Sequence, residues 1–336
     1  MIREALEKVV SHQSLTEQEA VGVMETIMNG EATSAQIGGL MAALRMKGET
    51  ADEITGFARV MRAKATRVEC KSYPLVDTCG TGGDGHNTFN ISTIGAFVAA
   101  GAGAHVAKHG GSAVSSKSGS ADVLKTLHIG VEIPPERIAA CVDEIGIGFL
   151  FAAHLQKAMR FAAGPRREVG FRAFFNMLGP LTHPAGATRQ VMGVYSADVI
   201  ELVAEALKNF GTEHAYVFHS NDGLDELTTT APTQVAEIKD GRIRIFRITP
   251  DELGLPTASL NDLQGGDNEE SAKIVGSILR GEPGPRRDIV LLNAGAALVV
   301  AGCAGDFKEG IAMAAQSIDS GAALGKLEAL VEATAP

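Results

Sequence analysis

The chain has no tryptophan, and aromatic residues make up only 5% of it. Its core must therefore be built from small and aliphatic side chains. Basic residues are also short: 30 Lys and Arg stand against 40 Asp and Glu, for a formal net charge of -10. General binding to nucleic acid or to an acidic membrane needs a basic face, so both are expected to be absent. A local cationic pocket is still allowed. The four cysteines, Cys70, Cys79, Cys141 and Cys303, lie far apart with no C-x-x-C spacing. That argues against a disulfide framework or a zinc site and points to a reducing, cytoplasmic setting. No apolar run is convincing as a membrane span; "IGAFVAAGAGAHVA" is short and rich in Gly and Ala. The opening "MIREALEKVVSHQSL" carries acidic residues and no apolar stretch of the signal-peptide kind.

What is present is glycine, 39 residues in a chain of 336, and a hydrophobic content of 45%. This is enough for two domains or one large one. Residues 1 to about 67 read as helices only. "TEQEAVGVMETIMNG" opens on a capping box, Thr16 with Glu19, and closes on Gly30; "TADEITGFARVMRAKATRV" repeats the device with Thr50 and Glu53. From "SYPLVDT" onward, short apolar strands such as "HVAKH", "VMGVYS" and "HAYVFHS" alternate with helices such as "STIGAFVAAGA", "GSADVLKTL", "PERIAACVDEIG" and "DVIELVAEALKNF". That alternation predicts an α/β domain with a mostly parallel sheet. "TQVAEIKDGRIRIFRI" predicts a hairpin turning at Asp240-Gly241, and the last seventy or so residues return to helices. Residues 162–187, rich in proline and arginine, interrupt the pattern and suit a crossing back to the helical unit.

Four places have the residues for chemistry. "VDTCGTGGDGHNTFNIST" ends a strand, places glycines at 80, 82, 83 and 85, and opens a helix. Glycines let successive amides face one anion, and the helix N-terminus adds partial positive charge. The literal G-x-G-x-x-G is not a dinucleotide fingerprint, because the next strand carries His105 and Lys108 instead of an acid, and no G-K-[ST] closes a P-loop. A plain tight turn is the alternative. "KHGGSAVSSKSGSADVL" follows Lys108 with Ser112, Ser115, Ser116, Ser118 and Ser120, a pattern suited to clasping phosphate. "HSNDGLDELTTTAPT" crowds Asp222, Asp225 and Glu226, which suits either Mg²⁺ shared with a phosphate or a solvated acidic turn. Arg166, Arg167 and Arg172 suit a carboxylate or phosphate, or surface ion pairs. Together these suggest a phosphate or diphosphate ester with magnesium beside a second anionic small molecule. Phosphoryl and phosphoribosyl transfer fit equally.

At these residues the sequence resembles the anthranilate phosphoribosyltransferases. "DTCGTGGDG", "FNIST", "VAKHG", "SSKSGSADVL", "RREVGFRAFFNMLGPLTHP", "HSNDGLDELT" and "NAGAALVVAG" carry the resemblance nearly end to end. It implies a small N-terminal helical domain, residues 1–70 with a contribution from about 165–187, hinged to a large α/β domain, residues 73–164 and 188–336. It implies a homodimer formed through the helical domain, with 5-phosphoribosyl 1-diphosphate and anthranilate as substrates. Matched position by position, Gly80, Gly83, Asp84, Thr88, Asn90, Ile91, Ser92, Thr93, Lys108, Ser116 and Ser120 would contact the phosphoribosyl diphosphate. Gly80, His109, Gly111 and Arg166 would meet anthranilate, and Ser92, Asp225 and Glu226 would hold Mg²⁺. No residue is expected to act as acid or base; catalysis would come from positioning and from stabilising the departing diphosphate.

The departures fall on the acceptor side. The family usually reads K-H-G-N-R where this chain has Lys108-His109-Gly110-Gly111-Ser112, and it usually has His-Pro where this chain has His154-Leu155. It also usually has Ala-Pro-Val where this chain has Ala163-Gly164-Pro165. An altered aromatic-amine acceptor, natural or engineered, is therefore one alternative. A pyrimidine nucleoside phosphorylase-like enzyme and a catalytically silent nucleic-acid binder are the others, the first disfavoured by chain length and the second by charge.

Overall fold

The structure is a computed structural model that describes residues 1–113 and 117–335. Four helices open the chain: α1 (Ile2–Val10), α2 (Glu17–Met28), α3 (Ser34–Lys47) and α4 (Ala51–Lys64). Both expected capping boxes form, and a third, Thr33 with Gln36, opens α3. Each satisfies amides that the first helical turn leaves unpaired. Helix α4 stops at Lys64, short of the helical reading through Val68. Tertiary bonds draw the next residues out: Thr66 N–H donates to the Leu155 carbonyl at 2.8 Å and Val68 N–H to the Pro184 carbonyl at 3.3 Å.

The alternating region begins with β1 (Leu75–Asp77), α5 (Ile91–Gly101), β2 (His105–Gly110), α6 (Ser120–Thr126) and α7 (Pro135–Ala140). A π turn, Cys141–Ile145, extends α7 and ends on Gly146 at φ 88°. Then come β3 (Ile147–Phe151), α8 (Ala152–Leu155), α9 (Arg160–Val169), α10 (Phe175–Leu181), β4 (Arg189–Gly193) and α11 (Ile200–Asn209). Strands β5 (His214–Ser220), β6 (Thr233–Lys239) and β7 (Arg242–Ile248) precede α12 (Asn268–Leu279), α13 (Pro285–Ala301), α14 (Phe307–Asp319) and α15 (Ala322–Thr334).

The seven strands form one sheet in the order β3-β2-β1-β4-β5-β6-β7. The first five are mutually parallel, and β6 and β7 are antiparallel. The hairpin turns where expected: Asp240 and Gly241 both have positive φ, 50° and 71°, as a type I′ turn requires. Strand β3 is the element the sequence reading passes over. All five of its residues are buried, so "IGFLF" shows none of the alternation that marks a half-exposed strand. Strand β2 also runs one residue beyond the "HVAKH" reading, because Gly110 pairs with Phe151 of that unforeseen neighbour.

The chain winds from β1 to β2 and β3 on one side, then crosses back to β4 on the other. The crevice beyond the carboxyl ends of β1 and β4 is thus a topological switch point, where α/β sheets place their ligands. One face of the sheet is covered by α5 and α13, with α12, α14 and α15 joining the same apolar core. The other face shares one continuous apolar cluster with α1–α4, α10 and α11, from Met24 and Phe57 to Met192 and Val217. Within residues 162–187, α9 packs on α2 and α3, and α10 packs on α4. No helix among the described residues is long and apolar enough to cross a membrane.

Candidate active site

The loop after β1 carries the glycines. Gly82, Gly83 and Gly85 have φ of 66°, 84° and 85°, a region that side-chain-bearing residues rarely adopt. Successive turns of this kind aim backbone amides into one concavity. The loop is pinned on its far side, where Thr88 bridges Gln264 and the Gly265 N–H donates to the Asn87 carbonyl at 3.0 Å. It delivers the chain to α5, whose N-cap, Asn90, makes no side-chain cap. Asn90 instead donates from Nδ2 to the Ser118 carbonyl at 3.3 Å, tying the helix start to the serine segment.

Lys108 points from β2 into this corner. It is 4% exposed, and its Nζ lies 3.1 Å from the Thr78 carbonyl and 3.4 Å from Ser92 Oγ. Glu226 arrives from the turn after β5 and accepts the Ser92 N–H, an anion at a helix N-terminus. Asp225 accepts the Gly82 N–H, so a carboxylate sits on one of the loop's anion-seeking amides. Burial, then the Asp84 charge, push the Asp225 carboxyl up to about 7, and burial and Asp225 raise Glu226 well above its ordinary value. Asp84 Oδ2 is buried without a hydrogen-bond partner among the described residues. Three carboxylates are therefore forced together, and the Lys108 charge only partly offsets the crowding at Glu226.

Of the residues read from the sequence, Gly83, Asp84, Ser92, Lys108, Asp225 and Glu226 belong to this corner, and Gly80, Asn90, Ile91 and Thr93 flank it in chain order. Thr88 is on the loop's outer anchor. Ser120 opens α6 and donates to the Gly111 carbonyl at 3.2 Å, while Asp122 closes the segment by accepting the Ala113 and Gly119 amides. Ser116 lies outside the described residues. A Cβ on Gly111 would meet nothing within 4 Å, and its φ is not positive, so the fold does not demand glycine there.

Among the residues expected to meet the acceptor, His109 is 2% exposed, and burial pushes its pKa down to about 3. Arg166, on α9, is half-buried over the Phe175 ring, 5.3 Å from its centroid. Burial pulls its guanidinium pKa down as well. The arginine that touches the glycine loop is another one. Arg172 donates to the Gly83 carbonyl and lies 5.2 Å over the Tyr195 ring.

The sequence reading also misses Gly193, the last residue of β4. Its carbonyl accepts the Thr81 N–H at 2.9 Å, and the backbone of Asp225 packs against its Cα with no room for a Cβ. Nothing in "VMGVYS" announces this, because the close approach is to a segment thirty or so residues away. A concavity of about 510 Å³, lined by Arg189, Lys208, Glu213, His214 and Lys239, opens at the amino ends of β4 and β5. It is at the opposite end of the strands from the glycine loop, and strand carboxyl ends are where such folds do their chemistry.

Two family models match: a glycosyl transferase family helical bundle domain over residues 3–65, and a glycosyl transferase family a/b domain over residues 72–324. The chain is 55% identical over 334 residues to an anthranilate phosphoribosyltransferase of Desulfatibacillum aliphaticivorans, covering 99% of each chain. It is 53% identical to that of Moorella thermoacetica, covering 98% of each. The crystal structure of the Thermus thermophilus enzyme is similar at a TM-score of 0.93 and 42% identity, over 98% of this chain and 99% of that one. The Saccharomyces cerevisiae enzyme, solved in complex with PRPP and Mg, is similar at a TM-score of 0.90 and 26% identity, over 99% and 97%.

Proposed function

This chain belongs to the anthranilate phosphoribosyltransferases of the glycosyl transferase family, and from that premise we propose how its cleft divides the work between two substrates. It transfers the phosphoribosyl group of 5-phosphoribosyl 1-diphosphate to the amine of anthranilate, giving N-(5-phosphoribosyl)anthranilate and diphosphate in tryptophan biosynthesis.

The donor is assigned to the glycine loop, the first turn of α5, Lys108 and Ser120. The observation that carries this is the meeting of Lys108, Ser92 and Glu226 at the α5 N-terminus, where amides and an ammonium face one small volume. Gly80, Gly83, Asp84, Thr88, Asn90, Ile91, Ser92, Thr93, Lys108 and Ser120 are the proposed contacts. Magnesium is assigned to Ser92, Asp225 and Glu226. The residues present fit it: their donors are all hard oxygens, and the crowded carboxylates outweigh the Lys108 ammonium beside them. When bound, magnesium supplies positive charge against the departing diphosphate. The loop amides and Lys108 add preorganised donors to the same leaving group.

The acceptor is assigned to Gly80, His109, Gly111 and Arg166, with the Arg166 guanidinium on the anthranilate carboxylate. An aniline-type amine is already neutral, so its attack on the ribose needs no strong base. His109, neutral through burial, is suited to accept a hydrogen bond from that amine and not to protonate it. Residues 1–70 with 165–187 are assigned to a helical domain that moves against residues 73–164 and 188–336, closes the cleft and forms the homodimer. The setting is cytoplasmic.

Consumption of 5-phosphoribosyl 1-diphosphate should require magnesium and proceed only with anthranilate. Glu226→Gln should raise the magnesium needed for half-maximal rate by about tenfold, while Arg166→Ala raises the anthranilate KM by a similar factor. If Arg166→Ala instead raised only the donor KM, the two halves of the cleft would be wrongly assigned.

A further inference from the structure

Three ligand-capable side chains converge beneath the glycine loop. They are Asp77 at the end of β1, Cys79 two residues on, and His109 of the adjacent β2. One ligand atom from each, a carboxylate oxygen, the thiol sulfur and an imidazole nitrogen, all lie within 4.8 Å of one another. Asp77 is 0% and His109 2% exposed, whereas Cys79 is half-buried, so access comes through the cysteine.

Two atoms of this cluster are stranded. Asp77 Oδ2 and His109 Nδ1 are buried with no hydrogen-bond partner among the described residues. Leaving a buried polar atom unpaired costs about 1–3 kcal/mol, so each needs an explanation. The neighbouring atoms are already committed. Asp77 Oδ1 accepts the His109 backbone N–H at 2.9 Å. The Gln190 amide lies beside Asp77; one of its two N–H groups goes to the Pro180 carbonyl at 2.9 Å, and the other does not reach Asp77 Oδ2 within hydrogen-bond distance. His183 Nε2 is 4.0 Å from Asp77 Oδ2, too far to satisfy it, and lies 2.6 Å from the Ala107 carbonyl. The His109 ring lies beside Gln156, with Nε2 at 3.5 Å from the amide nitrogen, and Nδ1 on its other side is unpaired among the described residues. A buried imidazole nitrogen left unpaired beside a carboxylate and a thiol is placed to ligate a metal.

We propose that Asp77, Cys79 and His109 form a binding site for a thiophilic divalent cation of the zinc class, separate from the all-oxygen magnesium site of Asp225 and Glu226. Sulfur, nitrogen and oxygen donors suit zinc, and three protein ligands leave a fourth position for water. On binding, the Cys79 S–H bond breaks, its proton passes to solvent, and a sulfur–metal bond forms. Thiolate and carboxylate then balance the dication. Both charges are needed, because the Lys108 ammonium is held close by at Thr78. Ligation immobilises the His109 ring, so zinc competes with the acceptor and not with the donor. This last consequence rests on the acceptor assignment above.

Cobalt(II) reports the site directly. Added to the full-length metal-free protein, it should produce a thiolate-to-cobalt charge-transfer band that zinc removes. The band should be lost in Cys79→Ser and kept in Cys70→Ser and Cys303→Ser. Absence of the band from the wild-type protein, or its survival in Cys79→Ser, overturns the proposal. Because it is read without substrates, the band is independent of the enzymatic assignment. In turnover assays zinc should raise the anthranilate KM and leave the donor KM unchanged, with about tenfold or more additional zinc needed in Cys79→Ser. Inhibition competitive with the donor, in a protein that shows the band, would overturn the link to the acceptor.

Discussion

The backbone of Asp225 occupies the space that a side chain on Gly193 would need. The same glycine accepts the Thr81 N–H, and a Cβ on Gly80 would come within 2.9 Å of its carbonyl oxygen. One strand end therefore registers the glycine loop against the acidic turn. Gly193→Ala should push the two apart. Displacements of about 1 Å at such a site cost on the order of 100-fold in rate, and overpacking costs about 1–3 kcal/mol. The expected pattern is a raised magnesium requirement with an anthranilate KM close to wild type. Uniform loss of both, in step with thermal stability, would mean Gly193 serves packing alone.

Glu53 is wholly buried and holds three groups at once. It accepts the Leu15 N–H at 2.9 Å, the Thr50 N–H at 2.8 Å and Lys47 Nζ at 3.0 Å. The partner lysine side chain is only 5% exposed. Removing one member of a buried pair strands the other, so Glu53→Ala should cost about 3 kcal/mol in denaturant unfolding. The double change Glu53→Leu with Lys47→Met should recover part of that loss. A single-variant cost below about 1 kcal/mol would show that solvent reaches Lys47.

His214 sets burial against a carboxylate. Its Nε2 lies 3.1 Å from Glu237 Oε1, which favours the charged ring, while burial, Lys239 and Arg189 disfavour it; the net shift is downward from 6.5. Below pH 6.5 the unfolded chain then binds the proton more readily than the folded one. The stability from this group is complete above 6.5 and is lost as pH falls, by at most about 1.4 kcal/mol per pH unit. Urea titrations between pH 7 and pH 5 should show a shallower loss in His214→Asn than in wild type. A steeper loss in the variant would mean that Glu237 wins.

Much of this site was legible because its chemistry is local in the chain. Gly82, Gly83 and Gly85 stand in one loop, and Asn90 to Thr93 open the helix that follows. The hairpin at Asp240-Gly241 was equally plain, since a type I′ turn needs positive φ at both central residues. Strand β3 was not, because a strand buried on both faces has no polar positions to reveal its period. Arg166, Arg167 and Arg172 were read as one group, because spacing says nothing about which guanidinium reaches Gly83; Arg172 does.

The sequence by itself determined the helical capping boxes, the alternation of strands and helices, and the glycine loop between β1 and α5. These depend on backbone preferences and on neighbours a few positions apart. Only the tertiary structure decided that Gly193 must lack a side chain, that Asp225 sits on the Gly82 amide, and that Asp77, Cys79 and His109 meet. The absence of C-x-x-C spacing argued against a zinc site, yet pairing of β1 with β2 carries Cys79, two residues past β1, against His109 across thirty residues of chain. Hydrogen bonding between β1 and β2 sets that distance, and it has no signature in sequence separation.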